Sequence, residues 1–270
     1  MEFFTSCHGI PVFVNDSQKG DKTVVLLHGY LESSNVWEGF AALLSKEFRV
    51  ITFDLPGNGL SGTRLPEHDM EFMADVTSAV LDVCGVKSAS VTGHSMGGYV
   101  ALAFARKYFE RIDKLCLFHS TPNPDSEEKK ANRDREIELI EAGKRELILR
   151  TAISGMFANE NRKRLSEVIE EIVENAAVAE PEGTIACLRG MKNRDDMNGF
   201  LSSFTKPLMM IFGAKDNYIS VETAEALMVK FPASRNLMLQ NSGHSGFLEE
   251  AEISASALME FLNYELKIKN

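Results

Sequence analysis

The chain has 270 residues, of which 44% are hydrophobic and 25% charged, and its 39 acidic against 29 basic residues give a formal net charge of −10. That balance fits a globular protein with a sizeable core and excludes both a disordered chain and the dominant basic face of a nucleic-acid binder. Four cysteines, Cys7, Cys84, Cys116 and Cys187, are too few and too scattered for a disulfide scaffold or a zinc site, and read as reduced thiols.

The first residues, MEFFTSCHGIPVFVNDSQKG, show no basic region followed by a long apolar stretch. No segment approaches the ~18 uninterrupted apolar residues of a membrane span. The expectation is a cytoplasmic protein with neither a membrane nor a nucleic-acid partner.

Along the chain, short apolar runs alternate with longer segments of helical period, the pattern of an α/β protein. Residues 10–14 (IPVFV) read as a strand, and 23–29 (TVVLLHG) as one buried on both faces. Another runs through 48–57 (FRVITFDLPG) and stops at Pro56 and Gly57. Over 69–84, Phe72, Met73, Val76, Val80, Leu81 and Cys84 recur at helical spacing. SASVTGHSMGGYVALAFARKY then reads strand, turn, helix in immediate succession.

Further strands fall at 114–120 (KLCLFHS), 207–213 (PLMMIFG) and 234–240 (SRNLMLQ), with a last helix from about Ile253 to Leu266. The interval 121–203 breaks this rhythm. It opens on TPNPD and continues as the charged helical run SEEKKANRDREIELIEAGKRELILR, with further helices around 161–178 and 181–192. A single crossover needs far fewer residues. The reading is a core of 1–120 and 204–270 carrying a helical cap at 121–203.

Gly93-His94-Ser95-Met96-Gly97 matches G-x-S-x-G in the setting its chemistry requires, after a β-branched strand and before an apolar helix. A serine on so tight a turn needs neighbours without Cβ atoms. It also sits at a helix N-terminus, where free N–H groups favour developing negative charge, so the N–H of Met96 is a natural oxyanion donor.

LLHGY, FDLPGNGLSG, GHSMGG, FGAKDNYIS and NSGHSGFLEE, in that order, resemble the successive signatures of the α/β-hydrolase superfamily. The resemblance covers nearly the whole chain apart from 121–203. It implies a mostly parallel central sheet flanked by helices, with a helical cap insertion. It also implies the order nucleophile, acid, base, which selects Ser95, Asp216 after the PLMMIFG strand, and His244 after SRNLMLQ. Some relatives carry the acid after the preceding strand, which keeps Asp125 as the reserve. The resemblance maps the second oxyanion donor onto the backbone N–H of Tyr30.

His28 and Asp54 read as loop organisers, and His8 and His68 as surface or loop residues. His94 supports pocket geometry, while His119 either lines the pocket or serves the structure. Many relatives have histidine where this chain has Asn58, a departure that leaves the triad untouched.

Haloalkane dehalogenase-like and epoxide hydrolase-like members place aspartate at the nucleophile position. Serine there implies an acyl-enzyme, hence a small-molecule ester, thioester, lactone or activated amide as substrate, with no cofactor and no metal. Met156, Phe157, Met191, Met197 and Phe200 are the cap residues suited to an apolar group. Three enzymatic alternatives share the triad: a C–C bond hydrolase, an enol-lactonase and a lyase resembling the menaquinone-pathway synthase. A small-molecule receptor with slow residual hydrolysis is the reading from another class. A monomer and a homodimer both fit.

Overall fold

A computed structural model of the chain describes residues 1–64 and 66–264. In chain order the core opens with strands β1 (Glu2–Cys7), β2 (Ile10–Asp16) and β3 (Thr23–Leu27), helix α1 (Glu38–Leu44) and strand β4 (Arg49–Phe53). Helix α2 (Met70–Val83) follows, then β5 (Ala89–His94), α3 (Met96–Lys107) and β6 (Ile112–Phe118). Between β6 and the next strand lie the helices α4 (Glu127–Glu141), α5 (Arg145–Gly155), α6 (Ser166–Val178), α7 (Pro181–Lys192) and α8 (Asn198–Ser202). The core resumes with β7 (Leu208–Gly213), α9 (Val221–Lys230), β8 (Arg235–Leu239), α10 (Gly246–Glu249) and α11 (Ala251–Asn263).

The eight strands form one sheet in the order β1-β2-β4-β3-β5-β6-β7-β8. Strands β3 to β8 run parallel, and the β1–β2 hairpin is attached antiparallel to β4. Period-2 alternation divides the strand side chains between two cores. Val25, Leu27, Ile51, Phe53, Val91, Leu115, Leu117 and Met210 face α2 and α3 on one side. Val24, Leu26, Val50, Cys116, Phe118, Met209 and Ile211 face α1 and α11 on the other. Both faces are covered, so the inner strands are buried along most of their length.

Helix starts follow local chemistry. The Asp69 carboxylate accepts the Phe72 N–H at 2.7 Å at the head of α2, and Ser126 caps α4 by accepting the Lys129 N–H. The expected helical run over 126–150 is two helices, split by a turn at residues 142–144. The expected strand set is present within a few residues. Strand β1 and helix α1 were not anticipated, and the expected end of the last helix at Leu266 lies outside the described residues. Cys7, Cys116 and Cys187 are buried, Cys84 is half-buried, and all four are free thiols. Among the described residues no helix is long and apolar enough to cross a membrane.

Because β3 and β5 to β8 are parallel, the segments leaving them gather at one edge of the sheet, where α/β proteins carry their sites. Five such segments bring His28–Tyr30, Ser95, His119, Asp216 and His244 to that edge.

Candidate active site

Ser95 lies between β5 and α3 at φ 48° and ψ −112°, a backbone conformation that costs about 1–3 kcal/mol and persists only when its surroundings impose it. Close packing imposes it here. A Cβ on Gly93 would meet Gly97 O at 2.2 Å, and one on Gly97 would meet Leu27 O at 2.3 Å. The Ser95 N–H donates to Phe118 O at 3.0 Å, while Ser120 Oγ donates to Ser95 O at 2.8 Å. Met96 N–H opens α3 and therefore has no carbonyl of its own helix to bond.

Asp216 and His244 meet as a pair. His244 Nδ1 and Asp216 Oδ2 are 2.7 Å apart, with both side chains almost wholly buried. Asp216 Oδ1 accepts the N–H groups of Tyr218 and Ile219. Burial alone would raise the Asp216 acid, but the adjoining His244 and the hydrogen bonds from His119 and His244 outweigh it and hold the carboxyl well below its usual range. A carboxylate in this position presents an imidazole in the tautomer that leaves its other nitrogen free to take a proton.

A second imidazole shares that oxygen. His119 Nδ1 lies 3.2 Å from Asp216 Oδ2, and its Nε2 accepts the Gly246 N–H at 3.1 Å. Its tautomer is thereby fixed as Nδ1–H. Complete burial, only partly offset by Asp216, pulls its pKa down to about 4. His119 is thus a neutral prop beneath the acid and not part of the cavity wall. The ligand atoms of His119, Asp216 and His244 lie within 4.8 Å of one another, close enough to hold an ion, yet hydrogen bonds engage the Asp216 oxygens, both Nδ1 atoms and His119 Nε2.

Ser95 and His244 line one cavity of about 500 Å³, the size of a small-molecule site. Tyr30, Met156, Met191 and Ile219 supply much of its apolar wall, and Asn132, Arg133 and Glu136 of α4 add polar groups to it. Of the five expected apolar wall residues only Met156 and Met191 reach it. Phe157 is buried in the core, and Met197 borders a different, smaller cavity.

The reserve acid is engaged elsewhere: Asp125 pairs with Arg133 and, at 2.7 Å, with Arg194. Asp54 pins its loop by accepting the Ser34 N–H and hydroxyl and the Leu60 N–H. His28 does likewise, its Nε2 accepting the Leu55 N–H at 2.9 Å. His68 is fully buried, against the expectation of a surface position, and accepts the Arg64 N–H.

Comparison with known proteins bears on the fold that carries these residues. The family model for the alpha/beta hydrolase fold matches residues 22–137. A thermophilic esterase from Thermogutta terrifontis, solved with malate bound, superposes with a TM-score of 0.90 at 31% identity over 97% of this chain and 98% of that one. The chain belongs to the α/β-hydrolase family. Among curated relatives of this α/β-hydrolase is a 2-hydroxy-6-oxononadienedioate/2-hydroxy-6-oxononatrienedioate hydrolase of Paraburkholderia phymatum, 26% identical over 93% of this chain and 90% of that protein. The dihydrolipoyllysine-residue acetyltransferase component of an acetoin cleaving system from Pseudomonas putida is 27% identical over 90% of this chain, which spans only 64% of that protein.

Two residues of the α/β-hydrolase site had no sequence signal. Glu32 is 2% exposed and accepts the Gly29 N–H at 2.6 Å. Glu249 is 6% exposed and accepts the Gly243 N–H at 2.8 Å, next to His244. Both act on main-chain groups, which are the same in every residue, so only the fold reveals them.

Proposed function

We propose that this α/β-hydrolase cleaves a small or medium carboxylic ester, thioester or lactone through an acyl-enzyme on Ser95. The observation that carries the reading is the 2.7 Å contact of His244 with Asp216 at the wall of the cavity that Ser95 also lines. In this scheme His244 takes the Ser95 proton as the hydroxyl attacks the acyl carbon, then returns it to the leaving alcohol or thiol. Asp216 holds the ring's tautomer and stabilises the imidazolium. The N–H groups of Tyr30 and Met96 receive the oxyanion, each worth about 3 kcal/mol in the transition state. Water, deprotonated by His244, then releases the acid.

Residues 121–203 serve as the cap over the core formed by 1–120 and 204–270. Met156 and Met191 accommodate the apolar part of the substrate. The likeness to the esterase supports ester cleavage. A C–C bond hydrolase on the same triad is the second reading, favoured by the likeness to the nonadienedioate hydrolase and by the polar face that α4 turns to the cavity.

Replacing Ser95 by Ala is expected to lower kcat on p-nitrophenyl butyrate about a millionfold, by analogy with another serine triad. Retained turnover in that variant overturns the nucleophile assignment. A panel of esters and thioesters beside vinylogous 1,5-diketones separates the two readings by kcat/KM.

A further inference from the structure

His94 and Glu32 take no part in the proton transfers, yet they touch the Ser95 turn, the Gly29–Tyr30 loop and the His244 loop. His94 ends β5 and immediately precedes Ser95. Its Nδ1 lies 2.8 Å from Glu32 Oε2 and its Nε2 2.7 Å from the main-chain oxygen of His244. The same Oε2 accepts the N–H of Gly29, the residue before Tyr30. Each ring nitrogen therefore faces an oxygen, and the His244 carbonyl has no proton to give. A neutral imidazole carries one N–H and serves one of the two; only the imidazolium serves both. Water has no access, since His94 is fully buried among Trp37, Phe247 and the strands.

We infer that His94 and Glu32 form a buried ionic clamp whose two members are positioning residues, fixing the Ser95 turn, the Gly29–Tyr30 loop and the His244 loop in one mutual arrangement. The inference rests on the acyl-transfer reading above and deepens it: the clamp sets the distance over which the proton moves and the place where the oxyanion forms.

The charged and titratable groups facing the His94 ring are Glu32 beside it, His28 and Asp216 at longer range, and the rings of His244 and His119 at 5.1 and 6.1 Å. Burial disfavours the imidazolium, but the charge and hydrogen bond of Glu32 outweigh it and raise His94 above its ordinary 6.5. Burial likewise opposes the Glu32 carboxylate, and His94 outweighs that too, holding it below its ordinary 4.5. The histidine's contribution is complete below its unfolded value and is lost as pH rises through the raised one. The glutamate's is complete above its unfolded value and is lost as pH falls through the depressed one. The pair is therefore ionic in the interval between the depressed glutamate value and the raised histidine value.

The test compares the wild-type chain with Glu32→Gln and His94→Gln by kcat, KM and pH profile on p-nitrophenyl butyrate, with fluorophosphonate labelling of Ser95 alongside. Misplacement of the catalytic loops is expected to lower kcat about 10- to 100-fold with KM within about twofold. In Glu32→Gln, His94 loses its counter-ion, so the alkaline loss of activity moves to lower pH. Folded variants with wild-type kcat and an unmoved alkaline limb overturn the clamp, even with a lowered Tm, because stability is all that a merely structural pair affects. Should the variants not fold, ¹⁵N NMR of wild-type His94 at neutral pH decides: two protonated ring nitrogens support the clamp, and one bare nitrogen overturns it. A wild-type chain whose Ser95 takes no label overturns the acyl-transfer reading itself. A labelled Ser95 with indifferent variants overturns the clamp alone.

Discussion

The helical stretch between β6 and β7 meets the catalytic loops in several places, and two of these contacts are built differently. At the turn after α5 the contact is buried and mostly main chain. Glu249 Oε2 accepts the Ala158 N–H and Asn161 Nδ2, its Oε1 accepts the N–H groups of Gly243 and Ser245, and the His244 N–H donates to Met156 O at 2.5 Å. A Cβ on Gly243 would lie 2.6 Å from Ala158 N, so the two backbones touch. At α4 the contact is made by side chains: the Tyr30 hydroxyl donates to Glu136 at 2.7 Å.

Breaking the first contact leaves several buried main-chain donors without acceptors, each costing about 1–3 kcal/mol. Breaking the Tyr30–Glu136 bond costs about 1 kcal/mol. The lesson is that the turn at 156–161 belongs mechanically to the histidine loop, while α4 is the wall free to yield. Access to the cavity is therefore expected past α4.

The two acids give the largest effects with which to break this comparison. Asp216→Asn, on the histidine side, is expected to lower kcat about 10⁴-fold, as loss of the orienting acid does in a comparable triad. Asp125→Asn, on the α4 side, should leave kcat within a few fold while costing about 3 kcal/mol of stability, because it strands two arginines. Kinetics and urea unfolding on the same samples check both. The reverse pattern would move the acid to the preceding strand.

Next comes Glu249→Ala. It removes acceptors from both sides of the turn, so kcat should fall about 100-fold through a displaced His244. Amide exchange at 156–161 should accelerate with it, which mass-resolved exchange reads directly. Unchanged protection there would uncouple the turn from the histidine loop. The smallest effect is Tyr30→Phe, which cuts the link to Glu136. KM is expected to change up to about fivefold, with kcat nearly constant and faster exchange confined to α4.

Much of this arrangement was legible before the fold. Ser95, Asp216 and His244 each follow an apolar strand in a glycine-bearing loop; the chemistry of serine demands a base and an acid, and the α/β-hydrolase resemblance supplied their chain order. The strands buried on both faces stood out because their apolar runs do not alternate.

The rest was hidden for physical reasons. Strand β1 has Phe4 58% exposed, which breaks the alternation expected of a half-buried strand. Helix α1 is only seven residues long. Phe157 and Met197 were expected at the cavity because apolar cap residues look alike whether they face a ligand or the core. The contacts of Glu32 with His94, of Glu249 with Ala158 and of His119 with Asp216 join distant segments, and no local spacing encodes such a meeting.

The central claim, that Ser95 carries the acyl group with His244 and Asp216 behind it, is tested most directly by mapping a fluorophosphonate adduct with peptide mass spectrometry. The expected result is one adduct on Ser95 in the wild-type chain, none in Ser95→Ala, and slow formation in Asp216→Asn. An adduct on another residue, or equal labelling rates in wild type and Asp216→Asn, would contradict it.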